Sequence, residues 1–129
     1  MDHDHFTVFV SDYSASKPFY EETLAPLGLV VLLDWPDARR VYFGRRGEPS
    51  SLWVVESDLV GTMEIALDAE DAGAVHSFYG TAIAAGARAD WELGARPEHY
   101  SARILDFDGN SLEAVFRGET AALHADAAA

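Results

Sequence analysis

Two hexapeptides far apart in the chain, residues 51–56 (SLWVVE) and residues 111–116 (SLEAVF), superimpose without a gap. Ser51/Ser111, Leu52/Leu112 and Val55/Val115 coincide, while Trp53 stands opposite Glu113. The match continues upstream. Residues 5–28 (HFTVFVSDYSASKPFYEETLAPLG) align with residues 64–86 (EIALDAEDAGAVHSFYGTAIAAG), pairing His5 with Glu64, Phe19-Tyr20 with Phe78-Tyr79 and, after a one-residue deletion, Gly28 with Gly86. A chain that repeats a unit of this length is two copies of one supersecondary structure, so the fold follows from what a single copy becomes.

Each copy opens with a strand: Phe6, Val8 and Val10 alternate with His5, Thr7 and Phe9. A helix follows. In the first copy Ser14 or Ser16 offers a cap, Pro18 falls early, Phe19, Tyr20, Leu24 and Leu27 form the apolar stripe, and Gly28 stops it. In the second copy Asp68 or Asp71 caps, and Val75, Phe78, Tyr79, Ala82 and Ile83 precede Gly86. GLVVLLDW, ARRVYFGRR and SSLWVVES then read as three strands, with turns at 34–37 and 46–50. Their counterparts are a weaker strand over 87–91, YSARILDF, a turn at Asp108-Gly109-Asn110, and SLEAVFR. Neither βαβββ unit closes a core alone. The expected fold is α+β: two tandem modules, about 4–57 and 62–117, forming a curved, cup-like mixed sheet with helices on the outside. Residues 1–117 make one domain, followed by an alanine-rich tail over 118–129, read as a frayed helix or disorder.

Composition narrows the functions. The chain has 129 residues and no cysteine, enough for one core without disulfides. Nine basic against 22 acidic residues give a net charge of -13, which repels nucleic acid and anionic lipid surfaces. No apolar run approaches a membrane span. The opening MDHDHFTVFV lacks the basic flank of a secretory signal, so the expected location is the cytoplasm.

Alternation assigns faces. If Phe6, Val8 and Val10 lie under the helix, His5, Thr7 and Phe9 face the concave side, as do Glu64 and Ala66 by the repeat. Leu52/Leu112 and Val54/Ala114 belong to the helix side, which leaves Ser51, Trp53 and Val55 and their mates Ser111, Glu113 and Val115 facing inward. Four equivalent positions therefore converge: His5, Trp53, Glu64 and Glu113. Two carboxylates aimed into one concave site repel unless a positive charge intervenes, and either a divalent ion or a protonated His5 would supply it. Trp53 forms a flat wall on which a ligand could stack, with Phe9 and Val55 beside it and Ser111 at the polar end. His99 and Tyr100 precede the penultimate strand, where they would overhang the mouth as proton donors. Arg40, Arg96 and Arg103 are open to either anion binding or surface ion pairing.

On these residues the chain resembles the vicinal oxygen chelate superfamily, also called the glyoxalase/bleomycin resistance protein/dioxygenase superfamily, over about residues 4–117. The initial His5, Asp12 seven residues on, and Phe19-Tyr20 match its opening pattern. Asp106-Phe107-Asp108-Gly109 and Glu113 match its closing one, with Phe107 in place of proline. The resemblance implies a divalent metal (Mn, Fe, Ni or Zn) held by His5, Glu64 and Glu113, with Glu113 also catalytic; His99 and Tyr100 join it as candidate catalytic groups from their place at the mouth alone. Trp53 departs from the pattern, because an indole nitrogen carries its proton and cannot ligate. That departure, together with Glu64 in place of histidine, disfavours glyoxalase I and extradiol dioxygenase chemistry. Two functions follow from the resemblance: a metal-assisted lyase, isomerase or transferase, or a metal-free ligand-binding or antibiotic-sequestering module. Both imply a small-molecule ligand and a homodimer.

Overall fold

The computed structural model describes residues 5–48, 51–59, 61–96 and 99–117; for His5, 91–96 and 99 it describes backbone alone. The tail over 118–129 lies outside the described residues. The elements run β1 (His5–Val10), α1 (Tyr13–Leu24), β2 (Val30–Trp35), β3 (Arg40–Gly44), β4 (Ser51–Glu56), β5 (Glu64–Asp68), α2 (Ala72–Ala84), β6 (Arg88–Arg96), β7 (His99–Leu105) and β8 (Ser111–Phe116). Both halves are βαβββ, as the repeat requires. Hydrogen bonding divides the strands into two open four-stranded sheets of identical topology, β1-β4-β3-β2 and β5-β8-β7-β6. In each, the first strand runs parallel to the last, and the other pairings are antiparallel.

The helix-facing positions are those the alternation assigns. Val8, Val10, Val41, Phe43, Leu52 and Val54 from one sheet, and Ile104, Leu112 and Ala114 from the other, are fully buried. They join Tyr20, Leu24, Val75 and Phe78 of the helices in one hydrophobic cluster that runs through both modules. The helices also touch each other, so neither module owns a separate core. Gly28 and Gly86 both adopt left-handed backbone, with φ of 82° and 110°, where a side chain would be strained.

Three details differ from the sequence reading. The cap of α1 is Asp12, whose Oδ1 accepts the Ala15 N–H at 3.1 Å, rather than Ser14 or Ser16. A carboxylate one residue ahead of the first turn meets the exposed N–H groups first, so the helix begins earlier and Pro18 falls in its second turn. Asp71 plays the same part in α2, accepting from Ala74 at 2.8 Å. Ile83 is 38% exposed, the inward place being taken by Ala82. Finally, β6 is longer than expected, and only two residues separate Arg96 from His99. The β6–β7 pairing tolerates register shifts around Trp91, which lets the ladder run on to Arg96↔His99.

Candidate functional site

Strand register places the diverged positions in equivalent surroundings. Thr7 lies opposite Trp53 across the parallel pair β1/β4, and Ala66 lies opposite Glu113 across β5/β8. On the other flank Tyr42 of β3 opposes Trp53, and Arg103 of β7 opposes Glu113. Opposed residues share a sheet face. The duplication therefore diverged as pairs: one module carries Tyr42 with Trp53, and the other carries Arg103 with Glu113.

The first module's inner face is aromatic. The Trp53 ring lies 4.7 Å from Tyr42 and 5.5 Å from Trp35, both tilted, with the Arg40 guanidinium carbon 5.9 Å from its centre. Phe9, Val30, Leu33 and Trp35, between 36% and 48% exposed, belong to the same face by register. A soluble domain seldom leaves an apolar patch of this kind uncovered without a use for it. Val55, next to Phe9 in the register, is partly buried there.

The second module's inner face is charged. Arg103 reaches toward Glu113 (Nη2 to Oε1, 3.9 Å) and Asp90 (Nη1 to Oδ2, 3.6 Å), and Ser111 Oγ stands 3.5 Å from the same Asp90 oxygen. Glu64, Ala66, Arg103, Ser111 and Glu113 line an open cleft of about 170 Å³. The two carboxylates predicted to share a site thus line one cleft, and Arg103 reaches Glu113 from β7, on the side of β8 away from Glu64. Sequence reasoning left Arg103 undecided. Its signal was the hairpin turn at 108–110, which sets Arg103 opposite Glu113.

Other expected site residues fall elsewhere. Tyr100 pairs with Phe116 in β7 and turns to the helix side, its hydroxyl 2.7 Å from His76 Nε2 of α2 with the rings stacked 5.7 Å apart. It does not overhang the mouth, because the strand begins earlier than expected and fixes its face by alternation. His99 opens the same strand and His5 opens β1; the side chains of both lie outside the described residues. A larger open cleft of about 500 Å³ lies at the module seam, lined by Arg45, Glu48, Asp68 and Glu70 among others. Arg45 is already committed there, donating to the Leu27 and Asp68 carbonyls at 2.8 and 2.6 Å and pairing with Glu48 at 3.5 Å, so the group acts as a clamp.

The cup is held by a buried polar hub. Asp106, 3% exposed, accepts the Tyr20 hydroxyl at 2.5 Å, the Asp108 and Asn110 N–H groups at 2.9 and 2.8 Å, and Asn110 Nδ2 at 2.9 Å. Asn110 also donates to the Phe9 carbonyl at 3.2 Å and accepts the Met63 N–H at 2.9 Å. It ties β1 to the turn that precedes β8. Burial, and then the adjacent Asp106 carboxylate, push the Tyr20 phenol well above its ordinary value, so it stays a donor. Phe107, standing where the resemblance expects proline, packs on Phe19 at 4.9 Å. The closing Asp-Phe-Asp-Gly segment is therefore a joint between modules.

Two of the described positions weigh against a divalent metal, while the side chain of His5 lies outside the described residues. Trp53 has no lone pair to offer at one of the four converging positions, and Glu113 faces a guanidinium that competes for its oxygen. Among the described residues, no three His, Asp or Glu side chains group closely enough to hold an ion.

The α+β architecture of two βαβββ modules is the fold of the glyoxalase/bleomycin resistance protein/dioxygenase family. Among solved structures it is similar to a glyoxalase/bleomycin resistance protein from Albidiferax ferrireducens T118, with a TM-score of 0.76 at 24% identity over 89% of this chain and 98% of that one. It is also similar to a lactoylglutathione lyase from Agrobacterium tumefaciens (TM-score 0.65, 21% identity, 88% and 91% covered). A glyoxalase/bleomycin resistance protein/dioxygenase family enzyme from Burkholderia phytofirmans PsJN matches likewise (TM-score 0.66, 19% identity, 92% and 100% covered). No protein-family model matches the sequence, and no curated protein matches it. Among the described residues no helix is long and apolar enough to cross a membrane.

Proposed function

We propose that the protein is a small-molecule-binding module that works without a metal, using the inner face as a two-ended site. One end is the aromatic wall of Trp53, Tyr42 and Trp35; the other is the polar group of Glu113, Arg103 and Ser111. The observation that carries this reading is the pairing of Arg103 with Glu113 at the register position where the sister module has Tyr42 with Trp53. The guanidinium gives Glu113 and Asp90 a positive partner from within the chain, the part a bound cation would otherwise play beside Glu113. A ligand would bury its planar part against the exposed aromatic face and direct its hydrogen-bonding groups to the charged end. Phe9 and Val55 extend the apolar wall. A homodimer that covers part of the open sheets, in the cytoplasm, belongs to the same proposal.

The test is elemental analysis of untagged protein prepared without chelator, with thermal unfolding in the presence of Mn, Fe, Ni or Zn. The reading predicts substoichiometric metal and no stabilisation by any of the four. Stoichiometric metal lost on Glu113→Ala would overturn it in favour of a metal-assisted lyase, isomerase or transferase centred on His5, Glu64 and Glu113.

A further inference from the structure

Arg40 is the anomaly of the inner face. In a chain of net charge -13, most described basic groups find an acid: Arg39 pairs with Glu56 at 2.6 Å, Arg45 with Glu48 at 3.5 Å, Arg117 with Asp68 at 3.4 Å, and Arg103 with Asp90 and Glu113, while Arg46 and Arg88, which show no such pair, are exposed to water. Arg40 pairs with none among the described residues, and its Nε is buried without an acceptor. The reason is topological. Arg40 opposes Val55 and Trp35, which puts it on the inner face, whereas the acids of the flanking strands fall on the other face: Asp34 opposes Val41, and Glu56 opposes Val10. Both are engaged there. Asp34 takes the Tyr13 hydroxyl and Lys17, and Glu56 takes Arg39 and the Tyr13 N–H. The sheet thus turns nearby counter-ions away from Arg40 and leaves its guanidinium against the Trp53 indole.

An arginine without a counter-ion would normally extend into water. Here it is half-buried, and the indole at 5.9 Å is a weak replacement for the hydrogen bonds a guanidinium can make. The Arg40 Nε is sealed from the surface, so an acceptor carried by a ligand would meet the guanidinium through its Nη groups. The geometry points to an anion subsite at Arg40, set at the edge of the Trp35/Tyr42/Trp53 wall, for a planar aromatic ligand bearing a carboxylate. This rests on the two-ended site proposed above and names the chemistry of its aromatic end. The ring stacks on the exposed indole surface, and the carboxylate takes the guanidinium as its counter-ion.

Calorimetric titration with 2-naphthoate and its neutral isostere 2-naphthamide tests this, using the full chain, Arg40→Gln, Arg40→Lys and Trp53→Ala. The expected result is at least tenfold tighter binding of the carboxylate. That preference is lost in Arg40→Gln while naphthamide affinity is unchanged, and it is partly kept in Arg40→Lys. Equal affinity for the two probes, or a preference that survives Arg40→Gln, overturns the anion subsite while leaving the inner-face site standing. Binding of both probes unaffected by Trp53→Ala, or no binding of either, overturns the inner-face site as well. Near-ultraviolet circular dichroism of each variant reports that the aromatic packing is intact.

Discussion

Replacing Tyr20 by phenylalanine removes one oxygen from the joint between modules and little else. The ring is fully buried, meets Phe19 edge-on at 5.3 Å and lies 6.4 Å from Phe43, contacts that phenylalanine keeps. What is lost is the 2.5 Å hydrogen bond to Asp106. A hydrogen bond to a charged acceptor contributes about 1.5–3 kcal/mol. Asp106 retains its three other donors, from Asp108 and from the backbone and side chain of Asn110, so the carboxylate is not abandoned and the lower half of that range applies. For a domain of this size, about 1.5–2 kcal/mol lowers the melting temperature by roughly 5–9 °C. Thermal and urea unfolding followed by circular dichroism measure it, and a double-mutant cycle with Asp106→Asn isolates the pair. A loss below about 0.5 kcal/mol, or additive single mutants, would show that the hub does not hold the modules together as argued.

Three further outcomes follow from the structure. Burial, with the hydrogen bond and nearby charge of Asp34, pushes the Tyr13 phenol from 10.0 up to about 12, so the folded state holds this proton more tightly than the unfolded chain. Its stabilisation is full below pH 10 and fades as pH rises toward 12; Tyr13→Phe should flatten that part of the stability–pH curve, and an unchanged slope refutes the pairing. Glu56 is held below its ordinary value by the Tyr13 N–H and then by Arg39, so its contribution is present above pH 4.5 and lost as pH falls through the lowered folded value. Acid titration of Glu56→Gln should show a shallower loss of stability there. Gly86→Ala places a side chain at φ 110° with its Cβ 3.1 Å from Phe107 Cε1, and should destabilise by about 1–2 kcal/mol in urea unfolding.

The fold was legible because duplication writes the same pattern twice. Alternation in β1 and the FY pair in α1 each gain weight from a second copy, and a one-residue slip in β1 or β8 would expose Val8 or Leu112. The inner face was legible for the same reason: Trp53 and Glu113 come out at matched register positions. What was hidden depends on partners that alternation does not name. Asp12 outcompeted two serines for the helix cap because of position, not residue type. Tyr100 lies in a strand whose start hung on the irregular β6–β7 ladder, and that start decides which face it takes. Arg103 and Arg40 look alike in sequence, yet one opposes an acid and the other opposes Val55 and Trp35.

The most direct test of the central claim, a binding face that lies inside the two sheets, is a fragment screen read by two-dimensional NMR on uniformly labelled protein. The account predicts saturable shifts centred on Trp53, Trp35, Tyr42 and Arg103, abolished in Trp53→Ala. Hits confined to the seam cleft around Arg45 and Glu48, with the inner face silent, would contradict it.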